Sequence, residues 1–358
     1  MKRVAFVVNG EFASAMGQRA RAFAQRLPDR FDIRTMYRTG GKLSAIGRLV
    51  GEMRAFRPHT IYVFDMSLSG VLAATVVHLV RRTPVLIDTG DAIYELAKAI
   101  GRGRAGRFAT LALEWHSLKL ARRMVVRGRG HVDLLAARGI PSDWLPDGVE
   151  TDLFTPDGDG QLHGIPGRDR PLVVGVLGST IWNPRTRSCY GLELLEMLRL
   201  LPGLPVRGLI VGGGSGLVHL RERAEEWGIA DRVDTVGPKP YLELPQWIRR
   251  MDIALSTQTD DIPGSVRTTG KLPLYLSCGR YIMASRVGEA ARILPAEMLV
   301  DFHGVSDPDY AGRLAARVRS IVERPQSLSR GADSRSLAET WFDYSRLART
   351  LAGILDAH

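Results

Sequence analysis

Short apolar runs alternate with stretches of helical period along most of the chain. Residues 4–8 (Val-Ala-Phe-Val-Val) form a β-branched and aromatic run that stops at the turn signal Asn9-Gly10. Residues 18–27 then place Ala20, Phe23, Ala24 and Leu27 at helical spacing. The same alternation continues. Strands are predicted at 31–36, 60–64, 84–87 and 124–126, with helices at 43–56, 68–80 and 108–121. The stretch 148–171 is rich in Gly, Asp and Pro and reads as a linker. The pattern then restarts, with strands at 172–177, 206–211, 233–236, 253–256, 281–284 and 298–300. Helices at 192–200, 218–227, 244–251 and 271–278 lie between them. Alternating strands and helices argue for parallel sheets covered on both faces. The expected fold class is therefore α/β, with two wound, Rossmann-like domains, one over residues 1–160 and one over 168–335. An apolar set from Trp341 to Leu355 at rough helical spacing predicts a last helix, about 340–358, that packs back on the first domain.

In open sheets of this kind a ligand sits beyond the carboxyl ends of the strands. Gly-bearing loops follow several predicted strands there, at 9–17, 178–184, 212–216 and 237–240, and each offers backbone N–H groups to an anion. The run Gly212-Gly213-Gly214-Ser215-Gly216 suits a phosphate, but glycines serve tight strand-to-helix turns equally well. It lacks the Lys-Ser/Thr of a P-loop, and the first loop lacks GxGxxG, which disfavours ATPase and dehydrogenase chemistry. The most informative stretch is Arg267-Thr268-Thr269-Gly270-Lys271-Leu272, just before a predicted helix. Two hydroxyls, a glycine and two cations there suit a diphosphate; the plainer alternative is that a threonine caps the helix and the lysine is solvated. Gly178, Ser179, Arg185 and Arg187 offer a second clamp, since an arginine holds phosphate with a planar fork.

These segments, taken in order, resemble GT4-type glycosyltransferases, a retaining family of the GT-B fold. The likeness runs through 173–179 with Asn183-Pro184, through 209–214 and through 228–237. It continues through Asp252-Ile253-Ala254-Leu255, the run 271–280 and the run 284–289. In the first half, Leu145-Pro146-Asp147-Gly148-Val149-Glu150 to Pro156 resembles the start of the family's interdomain linker. The resemblance implies two Rossmann-like domains facing across a cleft, and transfer of a sugar from a nucleoside-diphosphate sugar to an acceptor hydroxyl with retention. Glycan, lipopolysaccharide or glycolipid synthesis would be the setting. It places the diphosphate near Thr268, Thr269, Gly270 and Lys271. Gly212, Gly237, Pro238, Lys239 and Glu289 would meet base, ribose or sugar. The acceptor would lie near Gly10, Met16, Gly17 and the turn Asp88–Asp91, with Asp91 and Asp88 as catalytic candidates. No metal and no cofactor are expected: the nucleotide sugar is the donor substrate, and Lys271 and Arg185 would neutralise the departing diphosphate.

Two departures bear on catalysis. A helical glutamate of the family falls on Leu274, with Asp260 or Asp261 as substitutes for its partner. A family histidine after the fourth strand falls in Asp88-Thr89-Gly90-Asp91. An inactive nucleotide-sugar-binding homologue or partner subunit is therefore a rival reading.

Charge adds a partner. The net charge is +11. Residues 1–150 hold 24 Lys/Arg and 13 Asp/Glu, so the first half carries the whole excess. Arg102, Arg104 and Arg107 lie in a Gly-rich loop, 101–106, next to Leu96, Ala97 and Ile100. This suits an anionic membrane surface and a lipid-linked acceptor, with a small soluble metabolite as the alternative. A nucleic-acid partner is disfavoured: there is no zinc-finger spacing, no RNA-recognition aromatic motif, and aromatics make up only 7%. Two cysteines without a CxxC and no long apolar run predict a cytoplasmic protein, peripheral at the inner membrane face.

Overall fold

A computed structural model describes all 358 residues. The chain divides into two compact units. The first comprises residues 1–148, 265–268 and 341–358; the second comprises 149–264 and 269–340.

The first unit is built on six parallel strands: β1 (Lys2–Val8), β2 (Phe31–Tyr37), β3 (Thr60–Phe64), β4 (Val85–Thr89), β5 (Arg123–Val126) and β6 (Ser142–Trp144). Their order is β2-β1-β3-β4-β5-β6. The apolar run of β1 feeds both faces, because successive side chains point to opposite sides. Val4, Phe6 and Val8 join one core layer, and Ala5 and Val7 join the other. The first layer is closed by the helix Tyr344–Asp356, which contributes Leu347, Leu351 and Leu355. That helix does not begin at Trp341. A separate helix, Arg330–Trp341, ends there, and Asp343 caps the next by accepting from the Arg346 N–H at 3.1 Å.

The second unit carries β7 (Leu172–Leu177), β8 (Val206–Val211), β9 (Val233–Gly237), β10 (Ile253–Ser256), β11 (Tyr281–Ser285) and β12 (Leu299–Val300). Their order is β12-β11-β10-β7-β8-β9, again all parallel. Read from the other edge, this is the doubly wound Rossmann order. Each sheet therefore has one place where the winding reverses: β1/β3 in the first and β7/β10 in the second.

Two boundaries differ from the sequence expectation. The first unit ends at Gly148 rather than near 160. Residues 151–159 are tied to the second unit by their carbonyls: Arg335 donates to Thr151, Ser277 to Phe154, and Arg249 to Thr155 and Asp159. A composition rich in Gly, Asp and Pro marks irregular backbone there, but not free backbone. The basic loop is also shorter than 101–106. Helix starts at Arg104, with Gly103 extended as its N-terminal neighbour, so Arg104 and Arg107 are helical.

Candidate functional site

At the carboxyl ends of the first sheet lies a connected set of charges. Asp88, the penultimate residue of β4, is fully buried. One of its oxygens accepts from Arg19 Nε and from the Tyr62 hydroxyl, both at 2.9 Å; the other accepts from Arg127 Nε at 3.0 Å. Burial raises its pKa, but the charges of Arg19 and then Arg127 outweigh that and hold the carboxyl below the usual range. Arg19 spends its remaining donors on the carbonyls of Leu145 and Pro146. Asp88 thus ties the helix after β1 to β3, β4, β5 and the chain after β6. With both oxygens occupied and no exposure, it holds the strand ends together instead of facing a substrate, which corrects the expectation that made it catalytic.

Arg127 extends the set outward. Its Nη2 donates to Asp65 at 2.7 Å and to the Met16 sulfur at 2.8 Å. A side chain at Gly90 would start 2.9 Å from Arg127 Nη1. The space beside the β4 turn, where the family resemblance puts a histidine, is filled by this guanidinium.

Asp65 was not singled out by the sequence. It follows β3 at the winding reversal and adopts a left-handed φ of 68°, a strained choice for a residue with a side chain. Its carboxylate is about a third exposed (32%), and burial raises its pKa despite Arg127. The available signal was an acid immediately after the buried run Thr60–Phe64. Gly10, Met16 and Gly17 lie in the neighbouring loop after β1, where Ser14 caps the helix by accepting from the Gly17 N–H at 3.1 Å.

Asp91 is partly exposed and accepts from Arg267 Nε at 2.7 Å. Arg267 belongs to the first unit, as does Thr268. Thr268 is buried, and its hydroxyl donates to the Arg127 carbonyl at 2.5 Å. The stretch expected to hold diphosphate is thus divided: Arg267 and Thr268 serve the first unit, while Thr269, Gly270 and Lys271 begin the second. The committed hydroxyl removes Thr268 from the diphosphate set. His131, buried in the first turn of the helix Arg129–Ala136, has no hydrogen-bond partner for Nδ1. Burial pushes its pKa down to about 4, against the opposing charge of Asp91.

In the second unit, the loop after β7 and the helix Lys271–Ser277 come together beyond the strand ends. Lys271 Nζ lies 3.2 Å from the centre of the Tyr190 ring. The Tyr190 hydroxyl donates to the Leu255 carbonyl at 2.5 Å. Glu193 accepts from the Gly191 N–H at 2.8 Å; burial raises its pKa, and the Lys271 charge opposes that rise. Thr269 lies 3.4 Å from the Ser256 hydroxyl at the end of β10. Arg185 and Arg187 are exposed in a small hairpin closed by Asn183 and Ser188.

The glycine run has a packing reason. A Cβ at Gly212 would lie 1.9 Å from the Gly178 carbonyl oxygen, and one at Gly216 would lie 2.4 Å from that of Thr180. The loops after β7 and β8 therefore touch backbone to backbone, with Ser179 exposed at their edge. Gly237 accepts from the Gly212 N–H at 3.0 Å, Pro238 packs beside Gly213, and Lys239 lies over the Trp247 ring. Glu289 is buried at the start of the helix Gly288–Ile293, and Leu274 is buried in its own helix. Asp261 caps the short helix Ile262–Val266 by accepting from the Gly264 N–H; Asp260 is exposed.

Solved structures with this architecture include Anabaena HepE in complex with UDP-glucose, at 14% identity with a TM-score of 0.74 over the whole of both chains. The UDP-GlcNAc 2-epimerase of Neisseria meningitidis also aligns over both whole chains, at 12% identity and a TM-score of 0.61. By sequence, the chain matches the GDP-mannose-dependent alpha-(1-6)-phosphatidylinositol monomannoside mannosyltransferase of Mycolicibacterium smegmatis. That match is 32% identical over 153 residues, 41% of this chain and 38% of the relative. The D-inositol 3-phosphate glycosyltransferase of Mycobacteroides abscessus is 28% identical over 62% of this chain and 52% of its own length.

In sequence the chain is similar to these glycosyltransferases over part of their length, and its fold is GT-B. No family model matches it. The matched stretches span at most about half the length of these two relatives. The GT-B frame also carries an epimerase, so chemistry has to be argued from this chain's own residues.

Proposed function

We propose that the protein is a glycosyltransferase that moves a sugar from a nucleoside-diphosphate sugar to an acceptor hydroxyl, with retention, in glycan or glycolipid synthesis. The observation that carries this reading is the meeting of Lys271 with the loop after β7 at the β7/β10 reversal. There Lys271 would hold the diphosphate, with Thr269, Gly270, Gly178, Ser179 and the hairpin arginines Arg185 and Arg187 around it. Cationic groups fixed in advance stabilise the charge that develops on the leaving diphosphate. Gly212, Gly237, Pro238 and Lys239 would line the base, and Glu289 the ribose or sugar. The acceptor would use the β1/β3 reversal, where Gly10, Met16 and Gly17 flank Asp65, and Asp91 supplies a second carboxylate for hydroxyls. Names of relatives and neighbours make GDP-mannose and UDP-glucose the first donors to test, with a lipid-linked sugar or inositol-type polyol as acceptor.

A thermal-shift series with UDP, GDP, ADP and TDP tests the donor site. A nucleotide at about 100 times its Kd stabilises by roughly 2.7 kcal/mol, an easily read shift. Lys271→Ala should abolish the diphosphate shift while sparing nucleoside binding; equal loss of both would remove the phosphate assignment. Leu274, which puts no carboxylate on the helix, favours one other reading: a nucleotide-sugar-binding homologue without transferase activity. Donor hydrolysis by the purified protein would end that reading.

A further inference from the structure

Two helices of the first unit carry exposed apolar side chains and cations, and neither bears an exposed acid. On the helix Arg104–Leu120, Phe108, Leu111 and Trp115 lie three and four residues apart, on one side, and are 73%, 41% and 58% exposed. On the helix Leu68–Arg81, Val76, Leu79 and Val80 are exposed, while Val71, Ala74 and Val77 face the core. The two helices are joined through Thr75 and His116, whose polar atoms lie 2.8 Å apart. Both therefore turn apolar side chains outward in the same part of the unit. Isolated exposed apolar residues are ordinary; six on two joined helices are a patch.

The exposed charges on the two helices and at their ends have one sign. Arg81, Arg82, Arg104, Lys119 and Arg122 are exposed, and Lys119 Nζ lies 3.7 Å from the centre of the Trp115 ring. The helix Leu68–Arg81 contains no Asp or Glu. Arg104–Leu120 contains only Glu114, which is buried and accepts from the Tyr94 N–H at 2.8 Å. A second copy of this face would set like charges against one another, whereas an anionic leaflet complements them. Aromatic and aliphatic side chains among arginines and lysines are the chemistry of a helix lying in the interface plane, and no helix here is long and apolar enough to cross a membrane.

We infer that this face, Val76/Leu79/Val80 with Phe108/Leu111/Trp115, docks on the surface of an anionic lipid bilayer. Arg102, whose Nη1 donates to Thr110 at 3.1 Å, stands two residues before the helix Arg104–Leu120. The apolar side chains enter the acyl boundary, and the long arginine and lysine stems carry their charges to the headgroups.

The test needs neither donor nor acceptor, so its failure is separable from failure of the glycosyl-transfer reading. Full-length protein is floated with vesicles of phosphatidylglycerol and phosphatidylcholine, and with phosphatidylcholine alone. Binding is expected only to the anionic vesicles, falling roughly tenfold or more between low and high salt. Lipids brominated along the chains should quench Trp115, and Trp115→Phe should float while losing that quenching. Phe108→Glu/Leu111→Glu/Trp115→Glu, with circular dichroism and melting unchanged, should stay at the bottom of the gradient. Absence of wild-type flotation at low salt would overturn the inference, as would flotation of the triple variant equal to wild type. So would a dimer in solution that the triple variant abolishes, because it would assign the face to a second copy.

Discussion

Arg267 and Asp91 lie 176 positions apart in the chain and are joined by a hydrogen-bonded ion pair at 2.7 Å. Both side chains are over a third exposed or close to it, so the pair contributes little to stability, about 1 kcal/mol at most. Its value lies in fixing where Asp91 points. Arg267→Ala is expected to leave the melting temperature within a few degrees and to lower transfer about tenfold, mainly through the acceptor KM. An unchanged acceptor KM would show that Asp91 has no acceptor role.

Asp88 should behave in the opposite way. Replacing it with Asn keeps the shape but strands two buried guanidinium groups, Arg19 and Arg127, without their shared counter-charge. Breaking a buried pair from one side costs about 3–5 kcal/mol. Urea denaturation of Asp88→Asn should show a loss of that size. A loss under about 1 kcal/mol would mean that the two arginines find other partners, and the structural assignment of Asp88 would fail.

Asp65 supplies the contrast. Its carboxylate is partly exposed and accepts from Arg127. Asp65→Asn preserves the hydrogen bond to Arg127 and should cost little stability, yet it weakens the acceptance of a hydroxyl proton. Transfer is expected to fall by at least tenfold while nucleotide binding by the second unit stays the same. Near-wild-type transfer would exclude Asp65 from the acceptor site.

These residues also show what the sequence disclosed. Strand runs such as Val4–Val8 and the Gly-marked turns are local signals, so five strands of the first sheet and all six of the second are legible in the sequence; β6, three residues without an apolar run, is not, and neither is the strand order. Lys271 stands out in the sequence as a cation after Thr-Thr-Gly, whereas its place over the Tyr190 ring does not. Nor is the division of Arg267–Lys271 between two units legible there, since it depends on contacts with Arg127 and Asp91 well over a hundred residues away. Asp88 and Asp91 read alike in a polar turn; only burial separates them. Asp65 escaped notice because a lone acid after a strand has no motif, and its left-handed backbone is invisible in the sequence. The helix Tyr310–Glu323 is not among the predicted elements, although Leu314, Ala315, Val318 and Ile321 carry a clear helical period.

His131 sets a limit on acid stability. Its pKa is about 4 in the folded chain and near 6.5 when unfolded, because burial disfavours the charged ring. The unfolded chain therefore takes up a proton that the folded one refuses. That contribution is complete above about pH 6.5 and is lost as pH falls toward 4. Between pH 7 and 4.5, His131→Leu should lose less stability than wild type, by about 2 kcal/mol. Parallel urea curves at the two pH values, with the same loss in both proteins, would show that His131 is not kept neutral by burial.

Gly128 controls the placement of residues 265–268. Its φ of −115° is open to any residue, so the constraint is space and not backbone freedom. A Cβ there would lie 2.2 Å from the Val266 carbonyl oxygen, and one at Gly130 would lie 2.4 Å from that of Ser265. Both neighbours are backbone and cannot rotate away. Gly128→Ala must therefore push the segment outward by about an ångström, stretching the Thr268–Arg127 bond and the Arg267–Asp91 pair. Overpacking of this kind costs about 1–3 kcal/mol. Gly312→Ala is the control: it sits in the helix Tyr310–Glu323 with nothing within 4 Å of an added Cβ, and should be neutral or slightly stabilising. Hydrogen exchange read by mass spectrometry should rise in peptides covering 265–268 in Gly128→Ala and stay at the wild-type level in Gly312→Ala. Unchanged exchange in Gly128→Ala would mean that the segment is not held by this backbone contact.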